Sequence, residues 1–240
     1  MLPRIYTNTA IEINQILTMS REVTHHLVTV LRLKAGNVVY LFNGEPGEYE
    51  AELISTGKSA EIKVQHFIEK TTESSLLIEL GQGLSRGDRM DLTLQKATEL
   101  GVHTITPLMT EKCQIKLKED RADRKRTHWE NILISASEQS GRTAIPRLNS
   151  PLSIAEWIAQ PFRGLSIVLD PESTNSLSAI KERASAIRVL IGPESGLSEK
   201  EIALAKSKGF VALKLGPRIL RTETAGMAAL TLLQYEFGDL

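Results

Sequence analysis

From Leu76 to the C-terminus, short apolar runs alternate with stretches of helical periodicity, and few architectures satisfy that pattern. A strand covered by helices on both faces reads as an unbroken apolar run, and the helix beside it shows a single apolar stripe. Leu76 to Leu80, Val102 to Leu108, Leu165 to Leu169, Ile187 to Ile191 and Phe210 to Leu215 are such runs. Asp88 to Leu100 is predicted as a helix, with Met90, Leu94 and Ala97 on one face and Gly101 as its stop. A longer helix runs from about Glu119 to Ser140, with Trp129, Ile132, Leu133 and Ala136 on one side. Ser153 with Glu156 and Ser198 with Glu201 carry capping-box spacing before two further helices. A weak helix is expected from Leu177 to Ala184 and a strong one from Thr222 to Phe237. Residues 76–240 are therefore expected to form an α/β domain with a mainly parallel sheet.

Residues 1–70 read differently. Short strands are expected at Arg4 to Thr7, Val38 to Phe42, Tyr49 to Ile54 and Glu61 to Ile68, separated by Gly-, Asn- and Pro-containing turns. A single helix is placed behind Ser20, with Val23, Leu27, Val30 and Leu31 on one face. Short strands at close spacing suggest a small β-barrel. The polar stretch Glu69 to Ser75 lacks periodicity and is placed as the linker between the two domains.

Several classes of function are disfavoured by composition. The chain holds 29 basic and 29 acidic residues, so no overall field draws it to a polyanion. Positive charge is concentrated in the middle, most densely from Lys116 to Arg126, where a solvated helix start and a phosphate-contacting surface both fit. The one cysteine, Cys113, excludes an internal disulfide and any cysteine-rich metal site, and fits a reducing, cytoplasmic setting. No apolar run is long enough to span a bilayer. His25 and His26 are adjacent and so face different ways on a helix; no metal site is expected.

Gly81-Gln82-Gly83 follows a strand and precedes a helix, but the third glycine of a dinucleotide fingerprint is missing. It is expected instead to be a flexible strand-end turn that presents Arg86. The two later turns are richer. Ile191-Gly192-Pro193-Glu194-Ser195-Gly196-Leu197 and Leu215-Gly216-Pro217-Arg218-Ile219-Leu220-Arg221-Thr222-Glu223-Thr224 each follow an apolar strand and lead toward a helix. Open α/β sheets bind ligands at the carboxyl ends of their strands. Leu169 and Asp170 end a third strand in the same way, so three loops can close one pocket. Gly192 and Gly216 would let a ligand approach the backbone, and Pro193 and Pro217 would stiffen the turns.

These two stretches resemble the two signature motifs of the RsmE family, bacterial 16S ribosomal RNA methyltransferases that modify N3 of a uridine. The similarity extends to His26-Leu27 with Val30-Leu31-Arg32-Leu33, to Gln95 through Val102, and to Glu138-Gln139-Ser140-Gly141-Arg142. The resemblance implies a SPOUT-class C-terminal domain with a trefoil knot, a PUA-like RNA-binding N-terminal barrel, and a homodimer. It also implies S-adenosylmethionine held by Leu169, Asp170, Ile191, Gly192, Pro193, Glu194, Ser195, Gly196, Leu215, Gly216, Pro217, Ile219 and Leu220. The implied partner is 16S ribosomal RNA or the assembled small subunit. One position departs from the family: Ser195 stands where glycine is usual. A positive φ there would make serine cost about 1 kcal/mol relative to glycine.

Methylation at N3 requires loss of the imide proton, and the resulting anion spreads onto O2 and O4. A fixed guanidinium stabilises such charge, and Arg221, at the start of the last helix, is assigned that role. Glu194 and Glu223 are candidate bases, although an ordinary carboxylate is too acidic to be an efficient one, solvent is the alternative proton acceptor, and Glu223 suits a helix N-terminus equally well. Arg4, Arg32, Lys34, Arg86, Lys112, Lys116 and Arg142 are candidate phosphate contacts. An RNA-binding module without catalysis, and a SPOUT enzyme acting on another RNA site, are the alternative readings.

Overall fold

In the computed structural model, residues 2–113, 119–180 and 183–240 are described. The chain divides into two compact units, Met1–Glu73 with Ser137–Ile145, and Ser74–Ala136 with Pro146–Leu240.

The first unit is built on strands β1 (Arg4–Tyr6), β2 (Ile16–Thr18), β3 (Val38–Phe42), β4 (Glu48–Thr56) and β5 (Ala60–Ile68). They form one sheet in the order β1-β3-β4-β5-β2, a half-barrel, antiparallel except for β1 beside β3. Alternate residues of β4 and β5, such as Ala51, Leu53, Ile62 and Val64, are buried with Leu27 and Leu41. Helix α1 (Arg21–His25) starts at Ser20, whose side chain accepts the Val23 N–H. It then widens into a π-type turn over His26–Val30 instead of continuing as one regular helix. β2 is too short to show a period.

Arg4 belongs to the interior of this unit. Its guanidinium stacks 4.6 Å over the Phe42 ring and pairs with Glu48 at 2.9 Å. It also donates to the carbonyls of Ser137, Glu138 and Arg142. Arg142 is buried as well, paired with Glu73, whose other carboxyl oxygen accepts the Thr143 and Ala144 N–H groups. Glu138 takes the Tyr6 N–H at 2.9 Å. Burial pushes the Glu138 carboxyl above its usual value, more than the Tyr6 N–H and Arg4 pull it down. These bonds fasten the end of a long helix and its following turn, Ser137–Ile145, to the first sheet's own unit.

The second unit follows the expected alternation. Its elements are β6 (Leu77–Gly83), α2 (Asp88–Glu99), β7 (Thr104–Met109), α3 (Glu119–Ser140), β8 (Arg147–Leu148), β9 (Leu152–Ser153), α4 (Ile154–Ala159), β10 (Leu165–Leu169), β11 (Ala186–Ile191), α5 (Glu199–Ser207), β12 (Val211–Leu213) and α6 (Thr222–Phe237). The sheet runs β12-β10-β11-β6-β7-β8, with β9 also on β7, and every pair is parallel. Both expected capping boxes form, at Ser153 with Glu156 and at Ser198 with Glu201. Leu177 to Ala184 does not form a helix; a single 3-10 turn covers Leu177–Ala179, and part of the stretch lies outside the described residues.

Gly81-Gln82-Gly83 is not a flexible turn but the end of β6; Gly81 and Gln82 pair with β11 and β7, and Gly83 with β7 alone. Packing explains its glycines. A Cβ on Gly81 would lie 2.6 Å from the Trp157 ring, and one on Gly83 would lie 2.5 Å from Pro193.

Candidate active site

Three loops at the carboxyl ends of β10, β11 and β12 converge on a cleft of about 680 Å³, a size suited to a small-molecule ligand. The cleft is lined by Leu169 and Asp170, by Ile191, Gly192, Pro193, Glu194, Ser195 and Gly196, and by Leu215, Gly216, Ile219 and Leu220. Of the residues expected to hold a cofactor, Pro217 alone lies outside the lining. Parallel pairing explains the convergence, because β10 stands between β11 and β12 and all three strands end on one side.

Each loop is held by identifiable bonds. Asp170 Oδ1 turns back to its own loop and accepts the Glu172 N–H at 3.0 Å, while Oδ2 meets Lys206 of α5 at 3.1 Å. Gly192 has no room for a side chain, since a Cβ would sit 2.9 Å from the Leu197 nitrogen. Gly216 is glycine for a different reason, its φ of 77°, with open space around it. Glu194 accepts the Arg86 N–H at 2.9 Å and pairs with Arg89 at 3.0 Å. Burial raises the Glu194 carboxyl, but the Arg86 N–H, its own N–H and Arg89 outweigh it and leave it below the usual value. A carboxylate held this way is a poor proton acceptor.

Ser195 does not have a positive φ; the left-handed position in this loop belongs to Gly196, at 69°. Serine is therefore accommodated without backbone strain. Its hydroxyl donates to the Lys112 carbonyl at 2.9 Å, and Lys112 Nζ donates in turn to the Leu197 carbonyl at 3.0 Å. The departure from glycine thus ties the loop to the segment after β7.

Two residues important to the site carry no signal in the sequence beyond their polarity. Gln82, wholly buried in β6, donates to Thr222 Oγ1 at 2.9 Å. Thr222 donates onward to the Gly192 carbonyl at 2.6 Å. This relay joins the centre of the sheet, the start of α6 and the glycine turn. Arg89, also in the lining, was hidden in the polar face of α2.

Arg221 sits where the sequence predicts, exposed at the mouth of the cleft and at the N-cap of α6, with no side-chain cap made there. Lys112 also reaches the cleft, and Arg86 is exposed beside the Glu194 loop. In the first unit, Arg32 and Lys34 are exposed. Arg32 has a φ of 55°, in the left-handed region that costs a long side chain energy. Arg4 and Arg142 are corrections: their guanidiniums are consumed by internal carboxylates and carbonyls, so neither presents a surface to phosphate. Lys116 lies outside the described residues.

Comparison with known proteins agrees with this geometry. Residues 72–234 match the model of an RNA methyltransferase domain, and residues 20–65 match that of an RNA methyltransferase PUA domain. A ribosomal RNA small subunit methyltransferase E of Buchnera aphidicola (subsp. Schizaphis graminum) is 40% identical, over 100% of this chain and 98% of that protein. The Bacillus subtilis protein of the same name is 30% identical, over 96% and 94%. Among solved structures, ribosomal RNA small subunit methyltransferase E of Neisseria gonorrhoeae bound to S-adenosyl methionine superposes with a TM-score of 0.93 at 35% identity, covering 100% of both chains. A Legionella pneumophila protein with bound S-adenosylmethionine gives a TM-score of 0.96 at 38% identity, again over 100% of both. The half-barrel, the parallel sheet with its three-loop cleft and these full-length likenesses place the chain in the RsmE family of ribosomal RNA small subunit methyltransferases.

Proposed function

We propose that this chain transfers the methyl group of S-adenosylmethionine to N3 of a uridine in 16S ribosomal RNA, either free or in the assembled small subunit. The observation that carries this reading is the cleft itself, where a bare Gly192, apolar Ile191, Leu215 and Leu220, and an exposed Arg221 meet. Those residues fit the cofactor: apolar walls suit its adenine and methionyl chain, and tight backbone approach suits recognition through N–H and C=O groups. When bound, the cofactor supplies an electrophilic methyl group.

The chain's own residues do the rest. Thr222 and Gln82 fix the Gly192 turn, and Lys206 fixes the Asp170 turn, so the walls need little rearrangement on binding. Arg221 stabilises charge that develops on the uracil oxygens as the imide proton leaves. A target uridine is splayed out of folded RNA to reach the cleft. Arg32 and Lys34 of the first unit, and Arg86 and Lys112 of the second, contact phosphate; the strained backbone at Arg32 supports a selected role. The trefoil knot, the homodimer and a cytoplasmic location belong to the same reading and rest on family resemblance. Among the described residues no helix is long and apolar enough to cross a membrane.

The decisive experiment is methyl transfer onto small subunits from cells lacking this protein, followed by mapping of the modified base. Incorporation at N3 of a single uridine is expected. A methyl group on ribose, or on another base, would overturn the assignment. Calorimetric titration with S-adenosylmethionine distinguishes an RNA-binding module without catalysis, which would show no binding.

A further inference from the structure

One carboxylate in the cleft has a buried oxygen that the fold leaves without a donor among the described residues. Glu223 lines the cleft from the first turn of α6 and is only 8% exposed. Its Oε2 is buried with no hydrogen-bond partner among the described residues. Burying an ionised carboxylate without a donor is costly, and such groups persist where a ligand supplies the donor. Capping of α6 does not account for it. The N-cap is Arg221, so Glu223 occupies the second helical position, one short of the third position that a capping box uses.

The other acidic groups of the cleft are committed or peripheral. Asp170 serves Lys206 and the Glu172 N–H; Glu194 serves Arg86 and Arg89. Glu172 and Glu199 are exposed at the rim. Arg221 lies two residues before Glu223, on the same turn. Both residues line the cleft, which therefore offers a cationic donor and an acceptor carboxylate from the start of one helix. The uracil imide edge presents the complement, an N–H donor at N3 between two carbonyl acceptors. Cytosine lacks that N3 proton and would set a lone pair against the carboxylate.

We propose that Glu223 is the proton acceptor for N3 of the target uridine, an inference that rests on the functional reading above. The N3–H bond breaks and its proton passes to the Glu223 carboxylate. The electron pair left on N3 forms the new bond to the methyl carbon. The carbon–sulfur bond breaks with its electrons to sulfur, leaving S-adenosylhomocysteine. Arg221 offsets the charge on the uracil oxygens while the proton is in transit, which makes transfer to a carboxylate feasible. The other charged groups lining the same cleft are Arg221 on α6, Arg218 and Lys214 after β12, Arg89 on α2, Lys112 after β7, Glu194 after β11, Asp170 and Glu172 after β10, and Glu199 at the start of α5.

Glu223→Gln keeps the shape and removes the base; Glu223→Asp keeps the base and shortens it. Single-turnover methylation of small subunits should fall by about 10²–10⁴-fold in the glutamine variant, and the aspartate variant should recover part of that loss. Rate in the glutamine variant should climb about tenfold per pH unit, as hydroxide replaces the missing base. Affinity for S-adenosylhomocysteine, by calorimetry, should stay within about threefold in both variants. A glutamine variant that methylates at the wild-type rate overturns the inference. So does one that loses tenfold or more in S-adenosylhomocysteine affinity (roughly 1.4 kcal/mol), because the carboxylate would then be holding the cofactor's ammonium. Failure of the wild-type protein to methylate any uridine overturns the functional reading, and this inference with it.

Discussion

The two ends of the second unit's sheet carry arginine and glutamate in opposite conditions. Toward the amino ends of the strands, Arg188 is buried between the rings of Trp157 and Phe162, 4.7 and 4.6 Å away. Its Nε and Nη2 both reach Glu79, and its Nη1 donates to the carbonyls of Trp157 and Gln160. Trp157 completes the group by donating to Glu79 at 2.9 Å. At the carboxyl ends, Arg221 stands exposed and Glu223 Oε2 has no partner among the described residues. A charge that holds the fold is saturated by the fold, whereas one kept for a ligand is left incomplete.

Substitutions on the two sides should therefore separate stability from chemistry. The largest effect is expected from Gly192→Val, which forces a side chain against the backbone of Gly196 and Leu197, 3.0 and 2.9 Å from the first added carbon. Cofactor binding should vanish in calorimetry; ordinary binding would place the cofactor elsewhere. Next comes Arg188→Met, which leaves Glu79 with only the Trp157 N–H and no cation among the described residues, and should cost about 3–5 kcal/mol in denaturant unfolding. The folded fraction should still bind cofactor normally, and a binding loss larger than the unfolding loss would break the contrast between the two ends. Arg221→Ala should leave stability and cofactor affinity intact while lowering turnover about 10²–10³-fold. Unchanged single-turnover methylation would remove Arg221 from the mechanism. Ser195→Gly should shift stability by no more than about 0.5 kcal/mol, because φ there is not positive and only the bond to Lys112 is lost.

The smallest effect concerns pH. The depressed carboxyl of Glu194 contributes stability above its ordinary value of 4.5, and this is lost as pH falls through the lower folded value. Glu194→Gln should flatten that acid limb slightly, since the group is exposed and screened. A larger acid-side change in unfolding curves would mean that the Arg86 and Arg89 contacts matter more to the fold than their exposure suggests.

Strand runs and helix caps were legible because each is a local pattern: Ile187 to Ile191 is continuous apolar sequence, and Ser198 sees Glu201 three residues away. The cleft was legible for a related reason. Parallel strands place their carboxyl ends together, so three loops rich in glycine, proline and charge had to meet. Less visible were features set by distant residues. Gly81 and Gly83 looked like turn residues, and only Trp157 and Pro193 show that they are packing surfaces. Arg4 and Arg142 looked like phosphate ligands because Glu48, Glu73 and the carbonyls that absorb their charge are remote in sequence. Glu223 was ambiguous because a missing partner is a property of three-dimensional surroundings. β2, β8 and β9 were missed because two or three residues show no period.

The return of Ser137–Ile145 to the first unit has a consequence for synthesis. Until that segment exists, Arg4 lacks three of its carbonyl acceptors and Glu73 lacks the two N–H groups and the guanidinium that it binds. The half-barrel therefore cannot complete its interior when its last strand leaves the ribosome. It must wait for about 70 more residues, roughly 4–14 s at ordinary elongation rates. During that interval much of the second unit is made while the first still holds an open, charged seam. Expressed alone, residues 1–73 should behave as the nascent chain does in that interval, with Arg4 hydrated and β1 loose against β3.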